Sequence, residues 1–109
     1  MRADPRIASA MPEKELAENV RLLSASLGWK HYHTWTSIHS ARGFPDCCLV
    51  KPPRLVFVEL KREAGSVTTA QQEWLDALHG CNIETYIWKP TQWLDGTIER
   101  ILKGESVDV

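Results

Sequence analysis

The segment Leu55-Val56-Phe57-Val58-Glu59-Leu60-Lys61 limits how this chain can fold more than any other. It is rich in β-branched and aromatic residues, almost continuously apolar, and bracketed by Pro52-Pro53 and a Gly65-Ser66 loop. Such a run reads as a central strand buried on both faces. Side chains alternate along a strand, which puts Phe57, Glu59 and Lys61 on one face and Val56, Val58 and Leu60 on the other. Two charges therefore enter a side built for burial, where charge is costly without a partner.

The partner is expected just upstream. Asp46-Cys47-Cys48-Leu49-Val50 reads as the preceding strand, entered through Gly43-Phe44-Pro45 and joined to the next by the Lys51-Pro52-Pro53-Arg54 turn. An antiparallel hairpin would set Asp46 near Glu59 or Lys61. These residue types suit phosphodiester hydrolysis. That reaction needs shielding of the non-bridging oxygens, an activated water and a stabilised leaving oxygen, which one or two hard divalent cations can supply. Such cations take oxygen ligands. Asp46 and Glu59 offer carboxylates, the Leu60 carbonyl a third oxygen, and Lys61 a compact positive charge. The competing reading is a carboxylate and a lysine that only decorate strand ends.

Gly-x-Pro-Asp, a short hairpin, Glu-x-Lys, then Thr/Ser and Gln opening the next helix together resemble the PD-(D/E)xK nuclease superfamily. More narrowly they resemble the small stand-alone VRR-NUC domains of phages and bacteria, over about residues 13 to 95. The resemblance implies an α/β fold: a restriction-endonuclease-like core with a mixed central sheet of about four strands flanked by helices. It implies catalytic roles for Asp46, Glu59, Lys61 and Gln71, and an acidic residue on the first helix. Glu13, Glu15 and Glu18 compete for that last place. Glu13 is favoured because it shares a helical stripe with Leu16, Ala17 and Val20, with Glu15 as runner-up. Complementarity to the helix dipole would explain Glu13 equally simply.

The expected activity is that of a Mg²⁺- or Mn²⁺-dependent DNA endonuclease with Asp46, Glu59, Glu13 and the Leu60 carbonyl as metal ligands. Attack is by an activated water, without a covalent enzyme intermediate. Relatives of this type suggest branched DNA, especially four-way junctions, as substrate and a homodimer as the working form, since two-fold symmetry would give a small domain two sites and a wider platform. Alternatives are a sequence-specific or nicking nuclease of the same superfamily, and a non-catalytic nucleic-acid-binding module on the same scaffold.

Net charge is −1, which argues against strong non-specific nucleic-acid binding taken over the whole surface. Its distribution is more informative. Lys30, His31, His33, His39 and Arg42 crowd the segment before Asp46, and Arg62 follows Lys61. Lys30, His33, His39, Arg42 and Arg62 are taken as candidate phosphate contacts, against the simpler reading of an ordinary solvated loop. With 109 residues the chain fits one domain. It has no apolar run of membrane-spanning length and no signal-peptide core, so no membrane partner and a cytoplasmic location, bacterial or in a phage-infected host, are expected. The 3 cysteines, Cys47, Cys48 and Cys81, cannot all pair. They read as reduced thiols, with a zinc site from these and a histidine as the sharper alternative. Most of the 5 tryptophans should be core anchors, although Trp29 and Trp35 could stack on unpaired bases.

Residues 1–11 show no periodic pattern and read as a flexible leader, 12–103 as the nuclease-like domain and 104–109 as a frayed tail. Pro12 opens a helix to about Leu27, stopped by Gly28. Trp29 to Trp35 reads as a strand and Thr36 to Arg42 as a polar loop. Thr68 or Thr69 caps a helix through about His79, with Thr69 and Gln72 matching a capping box and Gly80 ending it. Asn82 to Trp88 is a strand, and a last helical stretch starts at Pro90 through Trp93 and Leu94 and continues from Asp95 or Thr97 to Leu102.

Overall fold

The computed structural model describes residues 3–34 and 40–105. Helix α1 (Pro5–Ala10) and helix α2 (Glu13–Ser26) lead into strands β1 (Lys30–His33), β2 (Cys47–Lys51) and β3 (Arg54–Leu60). Helix α3 (Thr69–Gly80), strand β4 (Glu84–Trp88) and helices α4 (Pro90–Leu94) and α5 (Thr97–Leu102) complete the order. The sheet runs β1-β2-β3-β4. β1 to β3 pair antiparallel, and β3 pairs parallel with β4 through the α3 crossover. This is the mixed, helix-flanked α/β sheet expected, with the apolar strand at an interior position.

Val56, Val58 and Leu60 of β3, Leu49 of β2, Trp88 of β4, Leu16 and Val20 of α2, and Ile98 and Leu102 of α5 form one buried cluster. Each such aliphatic side chain contributes about 1.5–3 kcal/mol relative to exposure. Gly28, at φ +89°, stops α2 in the left-handed conformation that glycine tolerates best.

Three expectations need correction. The leader is helical over residues 5–10: Asp4 caps it by accepting from the Arg6 amide, Pro5 occupies its first turn, and Ala8 is buried. Its single short stripe is too brief to register as periodicity. The α3 capping box is one residue earlier than expected, formed by Thr68 and Gln71 rather than Thr69 and Gln72. Helix α3 runs through Gly80, and it is Asn82, not the glycine, that takes positive φ, at 62°. Trp29 is the core anchor expected of most of the tryptophans, 4% exposed and donating its indole N–H to the Leu102 carbonyl at 3.1 Å, which leaves out the base-stacking alternative. Trp35 and His39 lie outside the described residues. In the expected tail, the Gly104 and Glu105 amides bond back to the Ile101 and Arg100 carbonyls.

Arg54 ties the sheet to the C-terminal helices. Its guanidinium forks onto Glu84 at 2.8 and 2.7 Å, donates to the Ile101 carbonyl at 2.9 Å and lies over the Trp29 ring, 4.9 Å from its centroid. Arg54→Ala should cost about 1–3 kcal/mol in a denaturant melt, and Arg54→Lys should recover little of it, because a lysine cannot fork. The bond from Arg54 holds the Glu84 carboxyl below its usual range. A depressed folded-state value gives stability that is present above the unfolded value and lost as pH falls through the folded one. The stability difference between wild type and Glu84→Gln should therefore shrink on acidification.

Candidate active site

Backbone register brings the acidic residues together. Asp46 lies immediately before β2, where Cys47 pairs with Val58, so its side chain reaches the end of β3 and accepts the Leu60 amide at 2.7 Å. Glu59 is 1% exposed. Its Oε1 accepts the Gln71 carboxamide N–H at 3.1 Å, and its Oε2 is buried without a partner. Burial first, then the neighbouring Asp46 carboxylate, push the Glu59 carboxyl well above its usual range, while Lys61 pulls the other way. Glu13, on the first turn of α2, is also raised, by burial and then by Asp46, and is opposed by Lys61 and His33. Glu13, Lys14, Ala17, His33, Asp46 and Leu60 line a cavity of about 260 Å³.

Local sequence explains this geometry. The Thr34 amide and hydroxyl donate to the Asp46 and Pro45 carbonyls at 2.8 and 2.6 Å, fixing the entry to β2. Phe44 packs edge-on against both Phe57 and Trp74, and the Trp74 indole donates to the Arg42 carbonyl at 3.1 Å. Those contacts dock the Gly43-Phe44-Pro45 loop on α3. Gln71 has two tasks: its Oε1 accepts the Thr68 amide at 2.8 Å in the capping box, which orients its NH₂ toward Glu59. The sequence had assigned those tasks to two different glutamines.

The structure separates the three first-helix glutamates. Glu13 alone faces the Asp46 cavity; Glu15 lines a different groove with Ile7 and Met11, and Glu18 pairs with Arg21. Among the candidate phosphate contacts, His33 lines the acidic cavity, and Arg42 lines a separate one of about 450 Å³ with Thr68, Thr69, Ala70 and Glu73. Arg62 is exposed directly after Lys61. Lys30 is at the opposite end of β1 from His33, level with Val50, and is not brought to the site. Lys14 was missed by sequence reasoning; only its place beside Glu13 in the first turn of α2 hints at it.

Cys47 is buried in β2, Cys48 is half-buried and Cys81 is exposed. Burial pushes the Cys47 thiol up to about 12. Since the thiolate is the reactive form, iodoacetamide should label Cys81 first and Cys47 only on unfolding, as peptide mass mapping would read.

Sheet order, parallel crossover and an acidic and basic strand end are the architecture of a PD-(D/E)xK-type nuclease domain. The VRR-NUC domain family matches residues 4–90, and the chain belongs to that family. A solved structure described as a VRR_NUC domain superposes with a TM-score of 0.67 at 19% identity, covering 80% of this chain and 94% of that one, which shows the shared fold. Among curated proteins none matches. Membership makes this a nuclease domain of a generally divalent-metal-dependent family, which implies contact with DNA. Among the described residues no helix is long and apolar enough to cross a membrane.

Its donor set suits a hard cation. The orphaned Glu59 Oε2 and the adjoining Asp46 carboxylate are oxygen donors, and repulsion between them is relieved by a positive ion. Among the described residues no three His, Cys, Asp or Glu side chains form a ready metal cage. Two carboxylates without a full cage fit an ion that keeps several waters and shares its coordination with substrate phosphate, as Mg²⁺ does.

Proposed function

We propose that this chain is a Mg²⁺- or Mn²⁺-dependent, structure-specific DNA endonuclease that hydrolyses phosphodiester bonds of branched DNA such as four-way junctions and works as a homodimer in the bacterial or phage-infected cytoplasm. The observation that carries the reading is the buried Glu59 carboxyl set against Asp46 with one oxygen unpartnered. Asp46, Glu59 and the Leu60 carbonyl would hold the ion, with Glu13 facing it across the cavity. The ion supplies Lewis-acid shielding of the phosphate and activation of water. Lys61 neutralises charge that develops on the attacked phosphoryl group. Gln71 fixes the Glu59 carboxyl group. His33, Arg42 and Arg62 would contact flanking phosphates, with His39 as a further candidate outside the described residues.

Family membership supports the nuclease chemistry; the junction rests on the resemblance to stand-alone domains of this type, and the dimer on domain size. A single domain 35 × 30 × 24 Å across offers little surface for a branched substrate, and two-fold pairing would present two sites. Labelled four-way junction, flap, linear duplex and single-stranded DNA, each cut under single-turnover conditions, test the substrate, and light scattering tests the mass. Preferential junction cleavage by a dimer is expected. Linear duplex cut as efficiently as the junction would overturn the junction assignment, and a monomeric mass under cleavage conditions the dimer.

A further inference from the structure

We propose that Glu63 is a positioning residue for Lys61, acting through Thr91; the inference rests on the nuclease reading above. Lys61 is the first residue beyond β3, so the sheet ladder no longer fixes its backbone. Two ties replace the ladder. The Lys61 amide donates to the Trp88 carbonyl at 3.0 Å, and Trp88 is fully buried. Two residues later Glu63 accepts both the Thr91 amide, at 3.0 Å, and the Thr91 hydroxyl. Thr91 follows the buried Pro90 at the start of α4. A turn that spans the second tie is closed by the Gly65 amide on the Arg62 carbonyl at 2.9 Å. Residues 61 and 63 are thus both pinned to the β4–α4 junction.

This matters because lysine presents a point charge on a flexible stem. Where that charge rests depends on where its backbone is rooted. Without Glu63, one amide bond would hold the root, and Lys61 and Arg62 would swing together. Glu63 spends both carboxylate oxygens on Thr91, so it acts on the reaction only through the segment it anchors. Neither residue stands out in the sequence, where Glu63 looks like one more charge in a loop and Thr91 like a helix-start threonine.

The test combines single-turnover cleavage at saturating Mn²⁺ with hydrogen exchange of the 61–65 amides in wild type, Glu63→Ala, Glu63→Gln and Thr91→Val. Glu63→Ala and Thr91→Val should each lower kcat about 10- to 100-fold, as expected for a misplaced catalytic group, with KM for DNA changed little. Glu63→Gln, which can still accept the Thr91 amide, should recover most of the rate. In a Lys61→Ala background, Glu63→Ala should add no further loss, because both act in one unit. Exchange should quicken at 61–65 and not in β2 or β3. A wild type that cleaves while Glu63→Ala changes kcat less than two-fold overturns the inference, as does a loss that is fully additive with Lys61→Ala. A wild type that cuts no DNA sinks the nuclease reading instead, and unchanged 61–65 exchange in Glu63→Ala then overturns the tether independently.

Discussion

Glu59→Gln is expected to lower single-turnover cleavage by at least about 10³-fold, a loss typical of removing a principal electrostatic group, while leaving the metal-free protein as stable as wild type or more so. The two effects share one cause. Glu59 is 1% exposed, and its Oε2 has no hydrogen-bond partner. An unsatisfied buried acceptor costs about 1–3 kcal/mol. A glutamine of the same shape keeps the Oε1 bond from Gln71 and turns an N–H toward Asp46, but supplies no negative charge for a cation. Site residues that favour function over stability behave in this way. Thermal unfolding in EDTA and cleavage in Mn²⁺, measured on the same preparations, check it. Cleavage within ten-fold of wild type, or a clear fall in metal-free stability, would contradict the role assigned to Glu59.

The second large effect is structural. Gly43 has φ +81°, and a Cβ placed there would stand 2.5 Å from the Ala70 carbonyl carbon and 2.7 Å from its oxygen. Both obstacles are helix backbone at the start of α3, with no flexible side chain to give way. Left-handed strain of about 1–3 kcal/mol and overpacking of about 1–3 kcal/mol add together. Gly43→Ala should therefore lower Tm by at least about 10 °C for a domain of this size. A Tm within 2 °C of wild type would show that the loop does not rest on α3 as described. The variant should also lose activity at temperatures where it stays folded, because the same contact seats Asp46 on one side and Gln71 on the other.

What the sequence disclosed follows the range of the interactions involved. β3 was legible because its nearly continuous apolar, β-branched run and the proline pair before it are local, and Asp46 followed from a hairpin with a short turn. The α3 box was misplaced by one residue because Thr68-Thr69 and Gln71-Gln72 satisfy the same pattern twice; only the docking of Gly43 on Ala70 and the reach to Glu59 choose between them. Trp29 was ambiguous because its partners, Arg54 and the Leu102 carbonyl, are distant in the chain. Helix α1 escaped detection because six residues carry too little periodicity, although Asp4 and Pro5 are a recognisable start. Glu13 was chosen on helical stripe, and the structure sets it apart from Glu15 and Glu18 by what each carboxylate faces. The Glu63 to Thr91 tie left no pattern at all, since it joins two loop-edge residues across the β4–α4 junction.

The central claim is that Asp46, Glu59 and Lys61 form a metal-dependent phosphodiesterase site. Its most direct test is cleavage of end-labelled DNA by wild type, Asp46→Asn and Lys61→Ala in Mg²⁺, in Mn²⁺ and in EDTA, with each variant shown to be folded. The account predicts cleavage by wild type in either metal, none in EDTA, and loss by both variants. Cleavage that survives EDTA or Asp46→Asn would contradict it.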